Sequence, residues 1–285
     1  MSGVFVRLAL AGWVCLSGVW VSAGWRDAPP TAAVAVQGLL SADLGDGGDG
    51  NARDHTPLRT WFWAAYLVAT HHPGISAKQL QRQLGLSRYE TAWLILQKLR
   101  RAMVAPEREL LKGEVEIDEF WLGGYEEGLK GSRQRGKKAL VGIAIEVRGA
   151  GSGRLRLAAL PDSSGPTLRD FTLTTTGQGA IVHTDGLQSY RVLAKHGYDH
   201  RRRPQGTAAP GEQLLPRAHR AISNLKAWMH GTHRWVSDEH LPVYLDEYVF
   251  RHNRRGTPMA AFQTLLGLGA IHPPTTYRQI THRAA

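Results

Sequence analysis

Two aspartates in apolar, strand-like runs, Asp118 and Asp185, are the residues best suited to do chemistry. Asp118 sits within Glu-Val-Glu-Ile-Asp-Glu-Phe-Trp-Leu-Gly-Gly (114–124), where Val115, Ile117, Phe120, Trp121 and Leu122 make a short buried strand ended by a Gly-Gly breaker. Asp185 closes a second run, Ala180-Ile181-Val182-His183-Thr184-Asp185-Gly186. Burying an unpaired carboxylate is costly, and a bound cation is one of the few partners that offsets the cost. Two such acids, far apart in the chain, are what a two-metal phosphoryl-transfer site requires. Each also has a plainer reading: Asp185-Gly186 is an ordinary turn pair, and Asp118 could lie exposed on an edge strand.

The bulk properties favour a polyanionic partner. The chain has 285 residues, with 35 Lys plus Arg against 24 Asp plus Glu, a formal charge of +11 and a sequence pI near 10.1. Nucleic acid is the commonest such partner, and no basic amphipathic helix suited to a membrane surface stands out. Cys15 is the only cysteine, which excludes internal disulfides and a cysteine-rich zinc site and fits a reducing cytoplasm. Residues 1–55 differ from the rest. Arg7, the run Leu8 to Leu16 and Val21-Ser22-Ala23 read mechanically as a secretory signal that would leave a mature start at Gly24. Gly12, Ser17 and Gly18 dilute that run, and Pro29-Pro30 with the glycines of 45–50 give linker composition. Export would strand a basic, DNA-type protein outside the cell, so the expectation is a weakly structured leader and a cytoplasmic protein.

Residues 56–106 read as a small all-α unit. Thr56 and Pro57 open a helix with Leu58, Trp61, Phe62, Ala65 and Val68 on one face, ending near His71-His72-Pro73-Gly74. The paired histidines suit a helix end better than a metal site. Ser76 with Gln79 caps a short second helix that Gly85 closes. Ser87 with Glu90 opens a third, whose buried stripe is Tyr89, Ala92, Leu96, Leu99 and Met103. Two helices joined by a tight turn form a helix-turn-helix, and the expected outer surface carries Lys78, Arg82 and Gln83 on the second helix and Arg88, Lys98, Arg100 and Arg101 on the third. The alternative is a three-helix bundle with a solvated basic face.

Residues 112–255 read as an α/β domain. After the Asp118 strand, a Gly-rich basic stretch with Lys130, Arg133, Arg135, Lys137 and Lys138 suits a hairpin loop on a DNA backbone. Strands follow at 139–145 and 153–160, then a helix over 162–172 capped by Asp162, Ser163 or Ser164, the Asp185 strand, and a helix over 187–196. That order is expected of an RNase H-like mixed sheet with flanking helices. A later helix, 244–255, turns Tyr244, Leu245, Tyr248 and Val249 inward and ends on Arg251, Arg254 and Arg255, which complement the helix dipole and suit DNA. Residues 256–285 read as a loosely packed extension.

From Thr56 to about Arg255 the sequence resembles bacterial insertion-sequence transposases of the ISXO2-like family, within the DDE superfamily. The resemblance rests on "PLRTWFWAAYLVATHHPGISAKQLQRQLGL", "EIDEFWLGG", "HTDGLQSY", "ISNLKAWMHGTH" and "YLDEYVFRHNRR". It implies an enzyme that uses two Mg²⁺ ions, replaceable by Mn²⁺, to cleave transposon ends and join the freed 3′-hydroxyl to target DNA. It also implies a homo-oligomer assembled on DNA, and neither a membrane nor a small-molecule substrate. Asp118 and Asp185 match the two metal-binding carboxylates. In relatives with Asp-Asp-Glu a lysine follows the glutamate by seven positions; here Lys226 matches that lysine, and His219 stands seven residues before it. On a helix His219, Ser223 and Lys226 share one side, whereas Asn224 lies about 140° from His219. Some relatives carry asparagine in the third place, so both His219 and Asn224 stand as candidates, with His219 either a metal ligand or a DNA-touching surface residue. Neither imidazole nor amide suits a hard cation well. Lys226 would touch a phosphate near the scissile bond, and Ala218, Ile222, Leu225 and Met229 would dock the helix. Relatives commonly carry a cysteine-rich zinc ribbon before the helix-turn-helix, which a chain whose lone cysteine is Cys15 cannot build, so the leader looks like a replaced or mistranslated N-terminus. The rival expectation is a decayed copy that binds DNA without doing chemistry.

Overall fold

The computed structural model describes residues 13–16, 19–22, 56–123, 138–204, 213–234, 236–272, 275 and 277–281. Strands β1 (Trp13–Leu16) and β2 (Val19–Ser22) pair antiparallel as a separate two-stranded sheet. The remaining elements build a helical group and a five-stranded mixed sheet.

The sheet consists of β3 (Glu114–Leu122), β4 (Ala139–Arg148), β5 (Gly151–Leu160), β6 (Ile181–Thr184) and β7 (Asp199–Arg202), in the order β5-β4-β3-β6-β7. β3, β4 and β5 form an antiparallel meander, and β6 and β7 then add in parallel. β3 is therefore the central strand, which rules out the edge-strand reading of Asp118. Alternation along it serves two layers. Phe120 and Leu122, with Ile143, Leu155 and Leu157, pack on α5 (Pro216–Trp228) and α6 (Leu241–Asn253). Val115 and Ile117 pack with Ala144 against α4 (Gly165–Thr175) and the 3-10 helix Gln188–His196. Ser164 caps α4. A sheet covered on both faces by helices, in this strand order, is consistent with an RNase H-like domain. β7 is absent from the sequence-based expectation, because Asp-His-Arg-Arg has no apolar run; it forms because a parallel edge strand needs only one paired side.

The helical group contains α1 (Leu58–Thr70), α2 (Ala77–Leu84) and α3 (Tyr89–Ala102). Ser76 caps α2 by accepting from the Gln79 N–H at 3.2 Å, and Gly85 closes it in the left-handed conformation. Other expectations need correction. Arg88 rather than Ser87 precedes α3, with no side-chain cap, and Tyr89 is 49% exposed instead of lining the stripe. Lys98 and Arg100, expected on the outer surface, are buried because α3 is enclosed by α1, α2, α6 and α7 (Pro258–Ile271). Lys98 lies over the Trp61 ring at 5.8 Å, and Arg100 stacks on Tyr244 at 3.8 Å while its Nε donates to Glu247 at 2.7 Å. The segment after Gly256, expected to be loosely packed, supplies α7, whose Ala261, Leu265 and Leu266 share one core with Trp61, Leu80, Ile95, Leu99 and Phe250. A short α8 (Tyr277–Thr281) follows and touches α3.

Candidate active site

Asp118 lies mid-strand on β3 with its side chain 14% exposed, turned toward α5. Its Oδ2 is 3.4 Å from Nε2 of His219, and its Oδ1 accepts the N–H of Glu119 at 3.0 Å. Asp185 follows the last residue of β6, the strand parallel to β3. Its Oδ1 accepts the Leu187 N–H at 2.9 Å, an Asx turn that fixes the carboxylate at the strand end. The same turn is held from β7, where Arg202 Nη2 donates to the Gly186 carbonyl at 2.7 Å. The Pro204 backbone packs so close to Gly186 that a Cβ there would meet Cα of Pro204 at 3.1 Å.

Electrostatics tie these groups into one neighbourhood. The hydrogen bond to Asp118 raises the His219 pKa above its ordinary value against partial burial, and the charges of Glu116 and Asp185 add to the rise. Glu119, on the opposite face of β3, is pushed up to about 7 by burial, and the charges of Asp118 and Asp185 act in the same direction. The Tyr190 phenol from the 3-10 helix donates to Glu119 and opposes the shift; its own pKa is driven well up by its burial and by Glu119.

Of the remaining expected site residues, Lys226 shares the His219 side of α5, with its ammonium 5.5 Å from the Phe120 ring; partial burial and nearby Lys138 lower its pKa. Ser223 donates to the His219 carbonyl at 2.9 Å. Asn224 is exposed, away from the Asp118 contact. Lys78, Arg82 and Arg88 are exposed on α2 and at the start of α3. Arg101 is half-buried and donates to the Gln279 carbonyl at 3.3 Å. Arg254 stacks on Phe250 at 4.3 Å, and Arg255 is exposed while bonding to the carbonyls of His252 and Ser152 at 2.7 Å each. Lys130, Arg133 and Arg135 lie outside the described residues. His71 contacts Gln79 at 3.2 Å, as suits a helix end.

Two acids were missed by sequence reasoning, Glu116 and Glu119. The row Glu114, Glu116, Asp118 at period two was a usable signal that several carboxylates share one strand face. Glu119 carried no such signal, since its partner Tyr190 is remote in sequence.

Two carboxylates from neighbouring strands offer oxygen donors of the kind a hard divalent cation prefers. Among the described residues, no group of three or more His, Cys, Asp or Glu side chains is arranged to hold a metal ion, and Nε2 of His219 lies 3.4 Å from the Asp118 carboxylate. Also among the described residues, no helix is long and apolar enough to cross a membrane.

Comparison with curated proteins gives no match. A family model described as the ISXO2-like transposase domain matches residues 110–253, just over half of the 285-residue chain, from the approach to β3 to the end of α6. The matched span holds Asp118, Asp185 and His219 together with the whole five-stranded sheet. By that match the chain belongs to the ISXO2-like transposase domain family.

Proposed function

We propose that this protein is a metal-dependent transposase that cleaves DNA at the ends of its own element and joins the freed 3′-hydroxyl to target DNA. The observation that carries the reading is that Asp118 on β3 and Asp185 at the end of the neighbouring parallel strand β6 each stand two residues beyond the paired Glu116 and His183, with Asp118 3.4 Å from His219 on α5. Family membership supports a transposase in general. Asp118 and Asp185 would hold Mg²⁺, two ions with Mn²⁺ as a substitute, which supplies charge to polarise the scissile phosphodiester and acidity to the attacking water. The protein's own residues do the rest. His219 orients the Asp118 carboxylate through their 3.4 Å contact and, protonated, offers a positive group to a non-bridging phosphate oxygen. Lys226, on the same side of α5, holds a neighbouring phosphate. In cleavage the water oxygen bonds to phosphorus while the bond to the 3′-oxygen breaks in line, and that oxygen leaves as a 3′-hydroxyl. In transfer the 3′-hydroxyl attacks a target phosphodiester in the same manner.

Exposed Lys78, Arg82 and Arg88 make the DNA-binding face of the helical group, read as a helix-turn-helix, while buried Lys98 and Arg100 take no part in it. This narrows the groove-facing part of α3 to its N-terminal turn, the part such helices use to read bases. The work is done on chromosomal DNA in the cytoplasm, by more than one copy, since two ends must be joined. A second reading, a remnant that binds DNA without cleaving it, is favoured by the absence of a three-ligand metal group among the described residues. A Mg²⁺- or Mn²⁺-dependent cleavage assay on DNA carrying the element's ends separates the two. Expected is cleavage by the wild type that Asp118→Asn or Asp185→Asn abolishes with DNA binding retained. A folded, DNA-binding wild type that never cleaves establishes the remnant.

A further inference from the structure

The helix that carries His219 begins without a cap of its own. α5 starts at Pro216, and Leu215 before it offers no side-chain acceptor. The first N–H groups of an α-helix have no partner within the helix, so a buried start needs one from elsewhere. It comes from the central strand. Oε2 of Glu116 accepts the N–H groups of Arg217 and Ala218, both at 2.8 Å, and Oε1 accepts Arg217 Nη1 at 3.0 Å. Glu116 is 3% exposed. Arg217 reaches further, its Nε donating to the Gly151 carbonyl at 3.0 Å and its Nη2 to that of Gly149. One carboxylate thereby joins β3, the start of α5 and the β4–β5 turn.

The location gives this joint its meaning. Glu116 precedes Asp118 by two residues on the same strand face, and Ala218 immediately precedes His219. Both ends of the Asp118–His219 contact therefore spring from points that Glu116 ties together. The apolar stripe Ala218, Ile222, Leu225 and Met229 sets how deeply α5 packs on the sheet. An apolar stripe is a weak constraint against sliding along the axis, and a slide of one residue displaces a side chain by about 1.5 Å. A directional, charge-assisted cap resists that slide and complements the helix dipole.

We propose that Glu116 is a positioning residue of the site, fixing α5 along its axis so that His219 stands against Asp118. The inference rests on the transposase reading for its consequence, not for its geometry. Its test combines Glu116→Ala and Glu116→Gln with His219→Ala in single-turnover cleavage of end-bearing DNA with Mn²⁺, alongside DNA affinity and amide hydrogen exchange. Glu116→Ala is expected to slow cleavage by about 10- to 100-fold at unchanged DNA affinity, and Glu116→Gln, which keeps an acceptor for both N–H groups, to restore most of the rate. In the His219→Ala background Glu116→Ala should cost nothing further, because the two act as a unit. Multiplying effects, or a His219→Ala variant as fast as the wild type, overturn the proposal. Should Glu116→Ala fail to fold, Arg217→Met removes the side-chain arm and carries the same cycle. Exchange at Arg217 and Ala218 reports even if the wild type does not cleave. Slow exchange that Glu116→Gln preserves and Arg217→Met hastens supports the joint; fast exchange in the wild type refutes it independently of the chemistry.

Discussion

At the level of single side chains, contact geometry favours His219 over Asn224 for the third position of the proposed site. His219 meets Asp118 at 3.4 Å, whereas Asn224 is exposed, about 140° further round the same helix. His219→Ala should therefore reduce single-turnover cleavage by about 10- to 100-fold, and Asn224→Ala should leave it within twofold, about the scatter expected for a surface change. Equal effects of the two in that assay would remove His219 from the site. Glu119 makes a prediction of opposite character. Its folded pKa of about 7 exceeds the ordinary carboxyl value of 4.5, so the folded protein binds the extra proton between those limits. The stability this contributes is complete below pH 4.5 and is lost as pH rises through 7. Glu119→Gln, which cannot ionise, should raise the unfolding free energy at pH 8 by on the order of 1–3 kcal/mol without divalent ions and change it little at pH 4. Thermal unfolding at the two pH values checks the sign. The placement of His219 on the same helix side as Lys226 was legible in the sequence because that spacing is local and helical. Glu116 and Glu119 were not assigned because their partners, Arg217 and Tyr190, come from distant segments that only the fold brings near.

Single elements were legible where the signal is local and illegible where several neighbours share one segment. The strands at Asp118, 139–145 and 153–160 and the cap at Ser76 follow from apolar runs and a side chain that bonds its own helix start. The burial of α3 does not follow from its own pattern. A single apolar stripe predicts one covered face, yet α3 packs against α1, α2, α6, α7 and α8, and Leu94 through Arg100 are all buried. A basic side chain on such a helix pairs or stacks instead of meeting DNA, as Arg100 does with Glu247 and Tyr244. The turn between α1 and α2 shows the same dependence on distant chain. Gly74 adopts φ +81°, and a Cβ there would stand 2.5 Å from Nε1 of Trp228 at the end of α5. Thr232 donates to the Pro73 carbonyl of this turn at 2.7 Å. Gly74→Ala should then cost well over the ~1 kcal/mol of a strained glycine replacement in open space, because Trp228 sits between Tyr248 and His233 and has little room to move. Denaturant unfolding of this variant beside Gly85→Ala, whose Cβ would meet nothing within 4 Å, isolates the steric part.

Across the whole molecule, the helical group and the sheet are bound by charge as well as by apolar packing. Arg100 of α3 and Glu247 of α6 meet at 2.7 Å with side chains 1% and 0% exposed. Arg251, one turn further along α6, lies 3.9 Å from Glu247 and donates to the carbonyls of Val68, His71 and His72, sealing the end of α1. Phe250, from α6, and the apolar side of α7 enter the same core as α1, α2 and α3. Packing between residues 56–106 and the rest of the chain therefore runs through segments near the C-terminus. Buried ion pairs add little over well-packed apolar groups, but removing one partner strands the other charge without water. Glu247→Gln should cost about 3–5 kcal/mol, a large share of the stability of an ordinary domain. Replacing Arg100 and Glu247 together by leucine should recover much of that loss, since no charge is then stranded. Followed by far-ultraviolet circular dichroism and by tryptophan fluorescence, to which Trp61, Trp63 and Trp93 of the helical group, Trp121 on β3 and Trp228 on α5 all contribute, Glu247→Gln should unfold in one transition shifted to lower denaturant. Two separated transitions, one for the helices and one for the sheet, would mean that the pair fastens two independent folds and that the shared core is not what makes them cooperate.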